Sequence, residues 1–109
     1  MAEAKLNQFE AEDVSLADVA KALGHPARIR ILKILTDLNL CMCGDIVDQL
    51  PLSQATVSQH LKELKRVGLI QGNVEGPKTC YCIDNQRIEE LRDKFAYLFT
   101  KVCCGSACN

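Results

Sequence analysis

The feature that most constrains this chain is a pair of helical stretches separated by the dipeptide Pro51-Leu52. Residues 44–50 are predicted to form a short helix, and Pro51 ends it because proline cannot continue the helical hydrogen-bond pattern. Ser53 is a suitable N-cap for a second helix, which runs to about Val67 before the stop signal of Gly68. Two helices joined in this way are the pattern of a helix-turn-helix unit.

The second helix has two chemically different faces. Val57, Leu61 and Leu64 form an apolar face that can pack on the domain. The remaining positions offer short hydrogen-bonding groups to base edges and cations to phosphates, and glutamine can pair with adenine. An ordinary solvated helix carries the same residue types, so the pattern alone leaves both interpretations open. The predicted DNA contacts are Ser53, Gln54, Thr56, Ser58, Gln59, His60, Lys62 and Lys65, with Arg66 as a further cation.

Two more helices are predicted before this unit. The first begins at Ser15, whose spacing to Asp18 has the form of a capping box, and Leu6 and Phe9 either extend this helix or precede it. After a stop at Gly24, His25 is the predicted N-cap of the next helix and Pro26 its first residue. That helix is apolar nearly all round, so we expect it to be buried on several sides. Residues 39–43 are predicted to be a connection.

A β-hairpin is predicted after the helix-turn-helix. Its first strand starts at Leu69-Ile70, a turn covers Asn73 to Lys78, and the second strand runs from Thr79 to Ile83. Lys78, beside Gly76-Pro77, is expected to point toward the DNA backbone or minor groove. The predicted fold is therefore mainly α with a small β-hairpin, a winged helix-turn-helix.

The last predicted helix is long and amphipathic. Together with the first helix it carries more apolar surface than one small domain can cover, and an exposed patch of this kind marks an interface. Closed two-fold pairing is the commonest solution, so we expect a homodimer through the first and last helices. The residues concerned are Leu16, Val19, Leu23, Leu91, Phe95, Leu98 and Phe99.

Length and composition indicate one domain over residues 1–109, with an N-terminal arm at 1–13 and a cysteine-rich tail at 103–109. The apolar share of 48% argues against global disorder. No apolar run approaches the ~18 residues of a membrane-spanning helix, and the charged start does not resemble a signal peptide. We therefore expect a cytoplasmic protein with no membrane partner. The net charge of −1 is uninformative, although basic residues outnumber acidic ones between Ser53 and Thr79.

The chain contains seven cysteines, an unusually high count for its length. An odd number cannot be fully paired within one chain, and disulfides rarely persist in a reducing compartment. Metal binding or redox chemistry is therefore a better explanation than a disulfide scaffold. There is no Cys-x-x-Cys in a βαβ pattern and no glycine-rich phosphate loop, so an enzyme is not expected.

Several separated motifs together resemble the ArsR/SmtB family of metalloregulatory repressors. They are Leu23–Leu32 (LGHPARIRIL), Leu40–Ile46 (LCMCGDI), Ser53–Leu64 (SQATVSQHLKEL) and Gly68–Ile70 (GLI). The resemblance covers about residues 15 to 100. It implies a dimeric winged helix-turn-helix repressor that holds double-stranded operator DNA and releases it when an inducer binds. It does not name the inducer.

Three cysteine clusters are candidate sensors of a thiophilic ion. Our first choice is Cys103, Cys104 and Cys108, because three thiols within six residues can supply the trigonal site that arsenic(III) prefers. Some members of the family place their inducer site at this helix. The alternative interpretation of this segment is a frayed tail.

The second choice is Cys41 and Cys43, where many family members bind thiophilic ions. Members of the arsenic type often have a third cysteine three residues further on, but here that residue is Ile46. The structural alternative is that both are small buried hydrophobic residues. Cys80 and Cys82 share one face of the second wing strand and are expected mainly to pack in the core, although Cys82 is a possible ligand near Cys103 or Cys104.

The predicted inducer is arsenic(III) or methylated arsenic(III), with no organic cofactor. Cadmium(II), lead(II) and antimony(III) stay open, and a repressor switched by cysteine oxidation is the main alternative. A thiol protein that only buffers metal would leave the helix-turn-helix unexplained. A zinc-type site of histidines and carboxylates is disfavoured, because the last helix has acidic residues but no histidine.

Overall fold

Four helices and three short strands follow one another along the chain in the computed structural model, which describes residues 8–38, 42–43, 50–75 and 78–104. The predicted mainly helical architecture with a β-hairpin is confirmed. The predicted first helix of the helix-turn-helix, at 44–50, lies outside the described residues except for its last position. The elements are α1 Ala11–Ala22, α2 Pro26–Leu38, β1 Met42–Cys43, α3 Gln54–Arg66, β2 Ile70–Glu75, β3 Lys78–Ile83 and α4 Asn85–Cys104.

Helix α1 begins earlier than predicted. Its N-cap is Glu10, so Ser15 lies inside the helix and the predicted capping-box start is wrong. Glu12 and Asp13 occupy the first turn, where negative charge interacts favourably with the helix dipole. Residues 11–13 therefore belong to α1 and not to a separate arm.

The start of α2 is as predicted. Pro26 is its first residue, and Nδ1 of His25 accepts a hydrogen bond of 3.0 Å from the backbone N–H of Ala27. The helix is central, with Ile31 and Leu35 almost fully buried. It is not buried all round, however, because Ile29 is 38% exposed.

The junction from α3 to β2 depends on Gly68. Its φ of 86° is a left-handed conformation that residues with a Cβ adopt only at a cost. A Cβ at this position would also lie 3.2 Å from Nε of Arg87. Glycine thus ends α3 and lets α4 pack closely against the turn.

The sheet has three strands in the order β1-β3-β2, all antiparallel. The hairpin is confirmed, and its strands run further toward the tip than predicted, to the pair Glu75 and Lys78. Strand β1 differs from the prediction, because the sequence indicated a connection at residues 39–43. Two residues are too short to give a periodic signal, and only pairing with β3 makes them a strand.

One hydrophobic core joins these elements. Side chains from α1, α2, α3, β2 and α4 meet in it, including Val19, Leu64 and Leu91. Its largest fully buried side chains are Ile31, Leu35, Leu64, Ile70, Val19 and Val57. Among the described residues, no helix combines the length and apolar character needed to cross a membrane.

Candidate nucleic-acid interface and thiol positions

The N-terminus of α3 is held by the predicted cap. Oγ of Ser53 accepts a hydrogen bond from the backbone N–H of Thr56 at 3.3 Å, which confirms the N-cap. The two hydroxyl oxygens of Ser53 and Thr56 are also 2.9 Å apart. Both side chains are exposed, so they remain accessible at the start of the helix while they rigidify it.

The outer face of α3 consists of Gln54, Ser58, Gln59, Lys62 and Lys65, all of them exposed. Steps of three or four residues relate most of these positions, so they form a continuous surface along the helix. The opposite face, with Val57, Leu61 and Leu64, is buried in the core as predicted. The helix thus presents amides and hydroxyls near its start and two cations near its end.

His60 does not belong to the outer face of α3, and its predicted role as a DNA contact needs correction. It is 6% exposed, and its Nδ1 accepts a hydrogen bond from Nε of Arg28 at 3.0 Å. Its ring centroid is 4.4 Å from that of His25. The spacing Val57, His60, Leu61 could have indicated this inward position, because residues three and four apart share a helix face.

Burial lowers the pKa of His60, and the nearby His25 and Arg28 lower it further by Coulomb repulsion. The ring is therefore neutral near pH 7, with Nδ1 as acceptor and the proton on Nε2. Within the described part of the chain, Nε2 of His60 is a buried polar atom without a hydrogen-bond partner. His60 thus connects α3 to α2 and is not part of the outer face of α3.

Arg66 joins α3 to α1, a role that the sequence did not reveal. Its Nη1 and Nη2 donate to the two carboxylate oxygens of Asp18 at 2.8 and 2.9 Å. Nη2 also donates to Oε1 of Glu63 at 2.9 Å. The hydrogen bonds from Arg66 lower the pKa of both carboxyl groups. Arg66 is thus engaged within the protein, whereas Lys62 and Lys65 are exposed side chains of the outer face.

The wing carries the last predicted DNA contact. Lys78 begins β3 and is the register partner of Glu75 at the end of the hairpin. This position agrees with the expected location beside the tip, and DNA contact by Lys78 stays a prediction.

The cysteines occupy two separate parts of the described structure. Cys103 is exposed and free in the last turn of α4, which also contains Cys104. Cys80 is buried in β3, and both Cys80 and Cys82 are disulfide-bonded, which differs from the expectation of reduced thiols. Strand pairing places Cys43 opposite Cys80. The candidate ligands Cys41 and Cys108 lie outside the described residues.

No group of three or more His, Cys, Asp or Glu side chains suited to a metal ion occurs within the described part of the chain. The predicted ligand sets therefore stay predictions, since each includes a residue or a side chain that is not described.

Helix α4 carries an uncovered apolar face near its C-terminus. Leu98, Phe99 and Val102 are 41%, 64% and 65% exposed, and the nearby Tyr97 is also exposed. Val19 and Leu91, which the sequence placed in the same dimer face, lie in the core instead. The uncovered surface is thus concentrated on the second half of α4.

Residues 25–71 match the family model described as bacterial regulatory protein, arsR family. An uncharacterized HTH-type transcriptional regulator of Methanocaldococcus jannaschii is 38% identical over 76 residues, covering 69% of this chain and 84% of the relative. A cadmium resistance transcriptional regulatory protein CadC homolog of Staphylococcus aureus is 32% identical, covering 84% of this chain and 75% of the relative. An arsenical resistance operon repressor of Staphylococcus xylosus is 28% identical, covering 78% and 81%.

Solved structures share the fold. A crystal structure of an ArsR family transcriptional regulator has a TM-score of 0.71 at 15% identity, covering 84% of this chain and 94% of that chain. The homodimeric winged helix-turn-helix DNA-binding domain of a possible ArsR-family regulator from Mycobacterium bovis has a TM-score of 0.62 at 22% identity, covering 99% and 94%. These similarities establish a winged helix-turn-helix.

Proposed function

Because the chain belongs to the ArsR family of bacterial transcriptional regulators, we propose that it is a homodimeric repressor that releases its operator when a thiophilic ion binds. The observation that carries the DNA-binding part is the outer face of α3. One side of this helix is buried in the core, and the other is an open surface of amides, hydroxyls and lysines. This division is what insertion into a major groove requires.

In the proposed complex, Gln54 and Gln59 contact base edges, while Lys62 and Lys65 contact phosphates. Ser58 adds a short hydrogen-bonding group between them. Lys78 extends the contact from the wing. Arg66 is excluded from this set, since Asp18 and Glu63 already bind its guanidinium group.

Homodimerisation is supported by the uncovered apolar face of α4. A helix end with Leu98, Phe99 and Val102 exposed is unfavourable in water, and a second copy of the chain would cover it. The structurally similar Mycobacterium bovis domain is itself homodimeric. Two copies would present two α3 helices to operator half-sites about one helical turn apart.

The proposed inducer is arsenic(III) or methylated arsenic(III), bound first by Cys103, Cys104 and Cys108 and second by Cys41 and Cys43. Cys103 is an exposed free thiol at the end of the proposed dimer helix. An ion bound there would change the position of α4 and hence the spacing of the two α3 helices. The names of two relatives refer to arsenical and cadmium resistance, so cadmium(II) is a second candidate.

The direct test is arsenite-dependent release of the reduced protein from its own upstream DNA, measured by fluorescence anisotropy. By linkage, the ion must bind the DNA-free form of the protein more tightly than the DNA-bound form. Changing the ratio of DNA-free to DNA-bound protein from ~1:99 to ~99:1 requires that the ion favour the DNA-free form by about 5.5 kcal/mol. We expect the Cys103→Ser/Cys104→Ser variant to stay on DNA when arsenite is added. Release of this variant at the wild-type arsenite concentration would assign the sensor to Cys41 and Cys43.

A redox-switched repressor is a second candidate, and the disulfide bonding of Cys80 and Cys82 favours it. Thiol alkylation separates the two mechanisms. Protection of thiols by arsenite, in the absence of an oxidant, supports the ion-responsive mechanism. DNA release that requires an oxidant and does not occur with arsenite supports the redox mechanism.

A further inference from the structure

Two Cys-x-Cys motifs meet across the sheet. One contains Cys41 and Cys43, and the other is Cys80 and Cys82 in β3. The antiparallel pairing of β1 with β3 makes Cys43 the direct partner of Cys80. Directly opposed residues of such a pair have Cβ atoms about 4.5–5.5 Å apart, and residues two apart on a strand share a face. Positions 43, 80 and 82 therefore lie on one face of the sheet.

The β3 cysteines also have the surroundings of a closed site. Cys80 is 4% exposed and Cys82 is partly buried. Because both are disulfide-bonded, each sulfur atom is within bonding distance of another cysteine sulfur. Thiols that approach this closely when oxidised are also close enough to share one ion when reduced.

We propose that Cys43, Cys80 and Cys82, in their reduced form, make a three-thiolate site for a trivalent metalloid, with As(III) as the type. This site is additional to the C-terminal cysteine cluster. The inference rests on the proposed function, because it assumes that the chain responds to a thiophilic ion. Soft thiolates in a threefold arrangement suit As(III), and water is largely excluded at Cys80.

The chemistry balances in two steps. A dithiol or phosphine reductant first supplies two electrons, and two protons are taken up, for each disulfide that opens. Three thiols then lose their protons as three As–S bonds replace the three As–O bonds of arsenous acid. The three hydroxide groups leave as three water molecules, and arsenic stays in its trivalent state.

The bound ion has a consequence for the DNA-binding unit. Strand β1 immediately precedes residues 44–50, the predicted first helix of the helix-turn-helix, and β3 is a wing strand. An ion shared by the two strands therefore holds the wing against the segment that leads into this unit. The C-terminal cluster instead acts at the end of α4.

The test measures arsenite stoichiometry by native mass spectrometry and by thiolate-to-arsenic absorbance, with fully reduced, oxygen-free full-length protein. In a Cys103→Ser/Cys104→Ser/Cys108→Ser background we expect one As(III) per protomer. Adding Cys80→Ser or Cys82→Ser should abolish this binding. Because Cys80 is buried, Cys80→Ala is measured in parallel, and circular dichroism checks that each variant folds.

Two results would overturn the proposal. In the first, the Cys103→Ser/Cys104→Ser/Cys108→Ser variant binds no As(III). In the second, its As(III) binding survives the loss of Cys80 and of Cys82. The matched control is Thr100→Ser in the same background, an exposed position of α4 outside the cysteine clusters, which should keep the site. Operator binding of the ion-free protein is measured on the same samples. A lack of operator binding would contradict the proposed function, whereas the arsenite stoichiometry tests the β1–β3 site independently.

Discussion

Arg28 in α2 donates a hydrogen bond from Nε to Nδ1 of His60 in α3 across 3.0 Å. Nη1 of the same arginine donates to the backbone carbonyl oxygen of Ala22 at the end of α1, at 3.1 Å. A single guanidinium group in α2 thus connects α3 with the end of α1. The acceptor atom on His60 exists only while the ring is neutral.

Stability should therefore fall in mild acid. The folded-state pKa of His60 is below the ordinary value of 6.5, first because of burial and then because of His25 and Arg28. The unfolded chain consequently binds more protons between the two pKa values, so stability is complete above pH ~6.5 and is lost as pH falls through the folded pKa. Urea unfolding at pH values from 7.5 to 5 measures this slope.

The matched variants are His60→Asn and His25→Asn. An asparagine side chain in place of His60 retains an acceptor for Arg28 but does not titrate, so His60→Asn should flatten the pH slope. His25→Asn retains a good N-cap and should leave most of the slope, because burial is the main cause of the shift in the pKa of His60. An unchanged slope in His60→Asn would show that other groups control the acid response.

The hydroxyl of Ser53 should contribute to folding and to DNA binding separately. Ser53→Ala removes the cap on the Thr56 N–H and should cost about 1 kcal/mol of stability. Ser53→Asp keeps a capping oxygen and should retain stability, while its negative charge weakens binding to DNA. Urea unfolding and DNA titrations on the same two variants measure the effects. Equal DNA affinity of Ser53→Asp and wild type would place Ser53 away from the phosphates.

The outer face of α3 should divide into base contacts and phosphate contacts. Gln54→Ala or Gln59→Ala should cost on the order of 1–3 kcal/mol and relax the preference at one base pair. Lys62→Ala or Lys65→Ala should weaken binding to all DNA sequences alike. Each should also reduce, by about 1, the slope of the logarithm of the binding constant against the logarithm of the salt concentration. Lys33→Ala, an exposed lysine of α2, is the control. Altered sequence preference in the lysine variants would contradict this division.

The exposed end of α4 should determine the oligomeric state. Phe99→Glu places a charge on the uncovered apolar face and should convert the dimer to a monomer at micromolar concentration in sedimentation. Because Phe99 is 64% exposed within one protomer, the variant should fold normally. Thr100→Glu adds the same charge one residue further on, outside this face, and should stay dimeric. A wild-type monomer under these conditions would contradict the dimer proposal.

Local sequence signals predicted the helices well because helical hydrogen bonds and side-chain neighbours lie only three or four residues apart. Ser53 as N-cap, Pro26 at the first helical position and Gly68 as stop are all confirmed. The error at Ser15 has the same origin. A good local capping pattern competed with the favourable acidic turn at Glu12 and Asp13, and the longer helix is the one observed.

The sequence by itself determined the winged helix-turn-helix and the outer face of α3, because periodicity and capping are properties of neighbouring residues. Only the tertiary structure decided what the buried and paired groups contact. The contacts Arg28–His60 and Asp18–Arg66 and the register of Cys43 with Cys80 join segments far apart in the chain. Such pairs leave no periodic signal, since packing of whole elements brings them together and sequence distance carries no information about that packing.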